Sequence, residues 1–319
     1  MLDILAIIAP IYIAILIGYS MTRAGIFAKT DMRVFGKFVI NLALPALLFR
    51  TLSQRQLGEI LNISYLLAYC LGSWAMVGLG YFWCRRAAGL NPATSAFYAM
   101  GMSCSNSGYV GYPILLLTLA PVAGVSLALN MTVENLLLIP FLLCMAESRQ
   151  GGAGQWRALG KSLMRMAYNP LIIGLLAGLA VSVLGLKLPG PVIRTVDMLA
   201  TACSALSLCV IGGTLVGLPM RGHGSRITPI VVGKLVLHPL LVFVAITMVP
   251  MLGLGEIEPS LRMAAVLMAA MPMMGIYATL GQVYGQEDFS AVTLLVTTVV
   301  SFFTLSALLW ALGRYWSLA

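Results

Sequence analysis

Two short runs interrupt apolar segments of this chain with residues suited to holding an anion. Ser103-Cys104-Ser105-Asn106-Ser107-Gly108-Tyr109-Val110-Gly111-Tyr112-Pro113 lies in the first half, and Ala270-Met271-Pro272-Met273-Met274-Gly275-Ile276-Tyr277 in the second. Lipid offers no partner for a freed backbone N–H or C=O, so a break at membrane depth survives only where protein or a wet cavity covers it. Broken helices at matching places in two halves are the pattern expected of a secondary transporter's substrate site. Half-helix N-termini present unpaired N–H groups and a partial positive charge, and both favour a carboxylate. Asn106 can contact that carboxylate directly or cap a half-helix, and Ser105 and Ser107 add hydroxyls. Gly108 and Gly111 permit strained backbone or close approach. Pro113 removes a donor and frees a carbonyl nearby. At the second break, Pro272 and Gly275 lie among methionines. Tyr109 and Tyr277 can close a pocket from either side, with aromatic packing the simpler role. The competing reading of both runs is a Gly/Pro kink that serves packing alone.

A second set of residues suits ion coupling. Glu134 is the only carboxylate deep inside a predicted span, and intramembrane acids mark ion or proton paths. Asn130 lies one turn before it on the same helical face, and Asn135 is adjacent. The alternative is a Glu bonded to amides that merely joins two spans. Lys234 and His238 are four residues apart, hence on one face. Lys234 either supplies a counter-charge to Glu134 or substrate, or snorkels to the interface; His238 precedes Pro239 and can serve its kink. Asn41 shares a face with Lys37 and, with Pro45, is a candidate to face substrate from another helix.

The elements that must position these residues follow from composition. Of 319 residues, 60% are hydrophobic and 9% charged, against about a quarter charged in soluble domains. Such a chain cannot cover a water-facing surface and is an all-α integral membrane protein. Its net charge of +9 reflects Lys and Arg gathered in cytoplasmic loops. There is no basic patch with interleaved aromatics, so nucleic acid is not an expected partner. The six cysteines form no C-x-x-C pair and the two histidines are isolated, so no metal site, disulfide framework or cofactor is expected. No signal peptide is evident. No P-loop is present, and no serine–histidine–carboxylate set is recognisable.

A span needs about 20 mostly apolar residues. Ten are predicted: 3–21, 34–53, 63–84, 94–118, 122–146, 168–185, 192–217, 227–250, 260–283 and 289–312. The polar stretch 147–167, with Arg149, Arg157, Lys161 and Arg165, divides 1–146 from 168–319. Eleven Lys and Arg residues fall on the side of that loop, six on the other and two inside spans. This bias places 147–167 in the cytoplasm and both termini outside. Five spans per half make any repeat an inverted one. An offset of 160 pairs Pro10 with Pro170, Gly18 with Gly178 and Gly25 with Gly185; an offset of 167 pairs Pro92 with Pro259 and Gly108 with Gly275. The second offset aligns the two breaks.

The run Asn106 to Pro113, the break Met271 to Gly275 and the stretch Asn41 to Phe49 together resemble the auxin efflux carrier family of membrane transporters. The resemblance covers essentially the whole chain. It implies a fold like that of bile-acid and sodium/proton transporters. Spans 1, 2, 6 and 7 would form a scaffold and spans 3–5 and 8–10 a moving transport domain, with substrate at the crossover of spans four and nine and an elevator mechanism. The plant members of that family have a polar residue at the second break where this chain has Met273 and Met274. The expected function is secondary transport of a small mono- or dicarboxylate, malonate-like, in a bacterial inner membrane, by a homodimer and with H+ or Na+ as coupling ion. The rivals are a sodium-coupled symporter of the bile-acid type, using Glu134 and Asn135, and a receptor or intramembrane enzyme.

Overall fold

The computed structural model describes residues 2–54, 62–147, 168–217, 224–283 and 286–316. Most of the 147–167 linker, with its four basic residues, lies outside them, as do Arg55 and Arg221. Among the described residues the architecture is helical, without strands. The elements are α1 (Leu2–Arg23), α2 (Lys29–Phe38), α3 (Leu44–Ser53), α4 (Ile63–Arg86), α5 (Pro92–Ser103), α6 (Tyr112–Thr118), α7 (Ala120–Val133) and α8 (Ile139–Glu147), followed by α9 (Pro170–Leu184), α10 (Gly190–Thr214), α11 (Gly224–Val232), α12 (His238–Met248), α13 (Pro259–Ala270), α14 (Tyr277–Val283) and α15 (Glu287–Trp316). Six helices among the described residues are long and apolar enough to cross a membrane: Lys29–Ser53, Ile63–Arg86, Ala120–Leu143, Gly190–Thr214, Arg226–Leu252 and Phe289–Leu312. Two shorter apolar helices are Pro170–Leu184 and Pro259–Ala270.

Among the described residues, four π-helical turns explain how four of the prolines are accommodated. They cover Val39–Ala43, Ser107–Gly111, Glu134–Leu138 and Gly233–Leu237. Each is followed by one residue and then a proline: Pro45, Pro113, Pro140 and Pro239. Proline inside a regular helix loses one hydrogen bond and drives its ring into the carbonyl four residues back, at about 3 kcal/mol. A wider turn relieves that clash. The residue before the proline instead donates five back, Leu44 to Val39, Ile139 to Glu134 and His238 to Gly233. Such turns concentrate at functional sites. Here they carry Asn41; Ser107, Gly108 and Tyr109; Glu134 and Asn135; and Lys234.

The two interrupted segments are built alike. α5 and α13 are each 12 residues long, and each opens on one of the paired prolines, Pro92 and Pro259. The Asn91 side chain caps α5 by accepting from Thr94 N–H at 2.9 Å, a bond that satisfies one orphan donor of the first turn. The paired Gly25 and Gly185 both lie just past helix ends at φ 77° and 59°, the left-handed backbone that ends a helix most cheaply on glycine.

The chain divides into two compact units. One comprises Met1–Asn62, Gly108–Leu129 and Met166–Gly217; the other comprises Ile63–Ser107, Asn130–Arg165 and Leu218–Ala319. In the first, α1 packs on α10, and α9 packs on α3. A Cβ added to Gly174 would meet the Pro45 carbonyl oxygen at 2.5 Å, so the α9–α3 approach depends on that glycine. In the second unit α4 packs on α5 and α12, and α13 on α12 and α15. There a Cβ on Gly72 would lie 2.6 Å from Val242 Cα. Small residues let helix backbones approach closely where lipid supplies no hydrophobic drive.

Candidate functional site

The site lies within the second unit, where the two breaks pair. Ser105 and Met273 form an isolated antiparallel bridge. Asn106 N–H donates to the Pro272 carbonyl at 2.8 Å, and Met274 N–H donates to the Cys104 carbonyl at 3.2 Å. The extended backbone of each break therefore satisfies the other, which answers the demand lipid makes on an unwound segment. Pro272 serves through its carbonyl.

Two charged side chains complete the crossover. The Glu134 carboxylate is 4% exposed. Its Oε1 accepts from Ser105 N–H at 3.0 Å and from the Tyr69 hydroxyl at 2.8 Å, and its Oε2 accepts from the Ser107 hydroxyl at 3.2 Å. All three partners are donors, which suits an ionised carboxylate. Lys234 is fully buried. Its ammonium donates to Ser105 Oγ at 2.7 Å, to the Ala269 carbonyl at 2.7 Å and to His238 Nδ1 at 2.9 Å. Three donors meet three acceptors. With Nδ1 accepting, the ring proton of His238 belongs on Nε2, 3.0 Å from Ser73 Oγ. Ser105 is the hinge of this arrangement: its N–H faces Glu134 and its hydroxyl faces Lys234.

The placement follows helix dipoles. Glu134 sits where the second half of the first interrupted segment begins, and Lys234 holds a last-turn carbonyl of α13, where the first half of the other ends. An anion at a helix N-terminus and a cation at a C-terminus are each stabilising. The protein's own charges thus occupy both ends. The N–H groups of Ser105 and Asn106 are therefore engaged within the protein and are not open to a substrate.

Other expectations also change. Lys234 does not snorkel; its head is the centre of a buried network. Gly108, Gly111 and Gly275 do not adopt positive φ, so left-handed backbone is not their reason. Gly275 lies beside Asn106: a Cβ there would be 3.7 Å from Asn106 Nδ2, an ordinary contact. Asn106 is 6% exposed, while Gly275 beside it is exposed, so the amide lies close beneath an open surface. Tyr277 does not edge a pocket. It is buried and stacks on Phe97 with ring centroids 4.3 Å apart. Three candidates fall outside the network. Asn135 Nδ2 donates to the Met131 carbonyl one turn back at 3.0 Å. Asn41, in the first unit and exposed, likewise donates to the Lys37 carbonyl at 2.7 Å. Tyr109, also in the first unit, donates its hydroxyl to the Gly36 carbonyl at 3.1 Å.

Three residues of the network escaped the sequence reading. Tyr65, Tyr69 and Ser73 are buried and spaced by four along α4. They bond Asn130, Glu134 and His238 respectively. A polar stripe at helical spacing within a predicted span was the available signal. Among the described residues no group of His, Cys, Asp and Glu is placed to hold a metal ion.

Long apolar helices, paired breaks and a buried Glu134–Ser105–Lys234 network define an integral membrane protein of the transporter class. The chain belongs to the membrane transport protein family, the auxin efflux carrier family, whose model matches residues 3–310. It is 31% identical over 97% of its length and 96% of the other chain to a protein of Rhizobium meliloti named "Putative malonate transporter". It is 25% identical to "Uncharacterized transporter YfdV" of Escherichia coli K12, over 65% of this chain and 67% of that one. A 25% identity to the mouse "Lysosomal cholesterol signaling protein" spans 71% of this chain but 28% of that longer protein. The family is one of transporters, not enzymes, which removes the intramembrane-enzyme rival.

Proposed function

We propose that this protein is a secondary active transporter of small organic anions, mono- or dicarboxylates of the malonate kind. The observation that carries the reading is the crossover: two unwound segments pair through their backbones, and Asn106 lies beneath an exposed glycine at their meeting point. The Asn106 amide supplies the donor for a substrate carboxylate, with the methionines of the second break as the apolar wall. The name of the Rhizobium relative supports malonate as the first substrate to test.

The transport cycle is of the elevator type in this reading, with spans 1, 2, 6 and 7 as scaffold and spans 3–5 and 8–10 as moving domain. The division into two compact units supports that grouping, with the difference that residues 108–129 cluster with the scaffold spans. The equal lengths of α5 and α13 support a 5+5 inverted repeat and hence ten spans. The protein is assigned to a bacterial inner membrane as a homodimer, with both termini outside and the 147–167 loop cytoplasmic.

Proton coupling is preferred to sodium coupling. The Lys234 ammonium already fills the place between Ser105, His238 and the Ala269 carbonyl that a monovalent cation would take. Asn135, which a sodium site would recruit, is bonded to its own helix. Purified protein in proteoliposomes tests both parts. Labelled malonate should accumulate under a proton gradient and be indifferent to replacing sodium with choline. Asn106→Ala should lose malonate-induced thermal stabilisation, which reports ligand bound to the folded state, while its unliganded melting stays near wild type. Wild-type affinity in that variant, or strict sodium dependence, would overturn the respective assignment.

A further inference from the structure

Beside the Glu134–Lys234 network lies a second, incomplete layer of polar contacts. Tyr65 and Tyr69 stack with ring centroids 6.3 Å apart and planes 16° from parallel. Each hydroxyl reaches the facing helix: Tyr69 to Glu134, and Tyr65 to Asn130 Oδ1 at 2.8 Å. Asn130 and Glu134 are also four residues apart, so the four side chains form a ladder of two rungs. Asn130 is fully buried, and its Nδ2 has no hydrogen-bond partner among the described residues. A buried amide N–H left unpaired costs about 1–3 kcal/mol. Exchanging the amide oxygen and nitrogen would not help, since the atom turned away from Tyr65 would still be unpaired. Glu134 has three donors on two oxygens that together offer about four acceptor sites. One acceptor site on the carboxylate and one amide donor a helical turn away are therefore left over.

We propose that Asn130 and Glu134 hold a buried water between them, and that this water passes protons to Glu134. Residues four apart on a helix have Cβ atoms about 5–6 Å apart, a gap one water bridges with two ordinary hydrogen bonds. The water accepts from Asn130 Nδ2 and donates to a Glu134 oxygen. Buried waters occupy such polar sites, typically with about three hydrogen bonds. The groups around Glu134 are Asn130 from its own helix, Tyr65 and Tyr69 from α4, and Cys104, Ser105 and Ser107 from the first break. Lys234, on the next helix, stands behind Ser105, and His238 behind Lys234. A proton arriving on the water makes a third O–H bond there; that bond breaks as the carboxylate oxygen takes the proton, and the water is left neutral. Every bond broken is an O–H and every bond formed is an O–H. Asn130 is thus a positioning residue for coupling rather than a substrate ligand. The relay part of this inference rests on the transporter reading; the bound water does not.

Radiolytic hydroxyl labelling in H2(18)O, read by peptide mass spectrometry on detergent-purified protein, tests the water directly. Labelling of a buried side chain reports a water activated beside it. Tyr65 should take up label although it is buried, whereas Phe97, equally buried, should stay at background. Asn130→Leu should bring Tyr65 down to the Phe97 level. Asn130→Ser, which keeps a polar group and enlarges the space, should retain label and covers the case in which the leucine variant does not fold. Tyr65 at background in wild-type protein, label unchanged by Asn130→Leu, or label abolished by added sodium would each overturn the bound water. Malonate uptake by the same variants separates the relay. Retained malonate-induced stabilisation with loss of proton-driven accumulation supports it, and accumulation unchanged in Asn130→Leu refutes it. Absent malonate uptake by wild-type protein with Tyr65 still labelled would refute the transporter reading and leave the water standing.

Discussion

Replacing Lys234 with Met and Glu134 with Gln, singly and together, measures whether the two charges stabilise one another through Ser105. Removing one partner of a buried pair costs about 3–5 kcal/mol, because the other charge is left uncompensated. Lys234→Met also strands Ser105 Oγ, His238 Nδ1 and the Ala269 carbonyl. In Glu134→Gln the remaining carbonyl oxygen keeps Ser105 N–H and Tyr69, and the Ser107 hydroxyl can turn to accept from the new amide. The two heads are separated by the width of Ser105 and two hydrogen bonds, about 6–8 Å. At an effective dielectric constant of about 20 that separation gives about 2–3 kcal/mol. The double variant should therefore lose about 2–3 kcal/mol less than the sum of the two single losses. Equilibrium unfolding in mixed detergent micelles, followed through the fluorescence of the five tryptophans, reads all four proteins. Additivity within about 0.5 kcal/mol, the behaviour of independent sites, would refute a coupled ion pair.

Two further substitutions probe the surroundings of the pair. Tyr69→Phe removes one charge-assisted bond to Glu134 and should cost about 1.5–3 kcal/mol in the same unfolding assay; an unchanged midpoint would detach α4 from the network. Gly72→Ala should cost about 1–3 kcal/mol through overpacking, since the new methyl meets Val242 backbone, and a neutral result would mean that α4 and α12 approach less closely.

The family and its transport class were legible in the sequence because they rest on composition, on the position of two breaks and on a few motif residues. So was the candidate importance of Glu134 and Lys234, since a charge inside an apolar segment is conspicuous whatever its partners. Their partners were not legible. Ser105 lies 29 residues from Glu134 and 129 from Lys234, and no local pattern says which polar groups meet across such separations. Asn41 and Asn135 failed as members of the network for the same reason: an amide in a helix can equally turn back to its own chain. The four π turns were half visible. Each proline could be read as a point of disruption, but only the folded helix reveals a widened turn rather than a break.

The sequence by itself determined that this chain is a helical membrane protein with two interruptions, because apolar length and helix-breaking residues act locally. The tertiary structure alone decided what the interruptions are for each other. Their backbones pair, and Glu134 and Lys234 take the helix ends that sequence reasoning had left open for a substrate. The physical reason is that buried N–H, C=O and charged groups must find partners inside the protein, and the identity of those partners is settled only when distant helices pack.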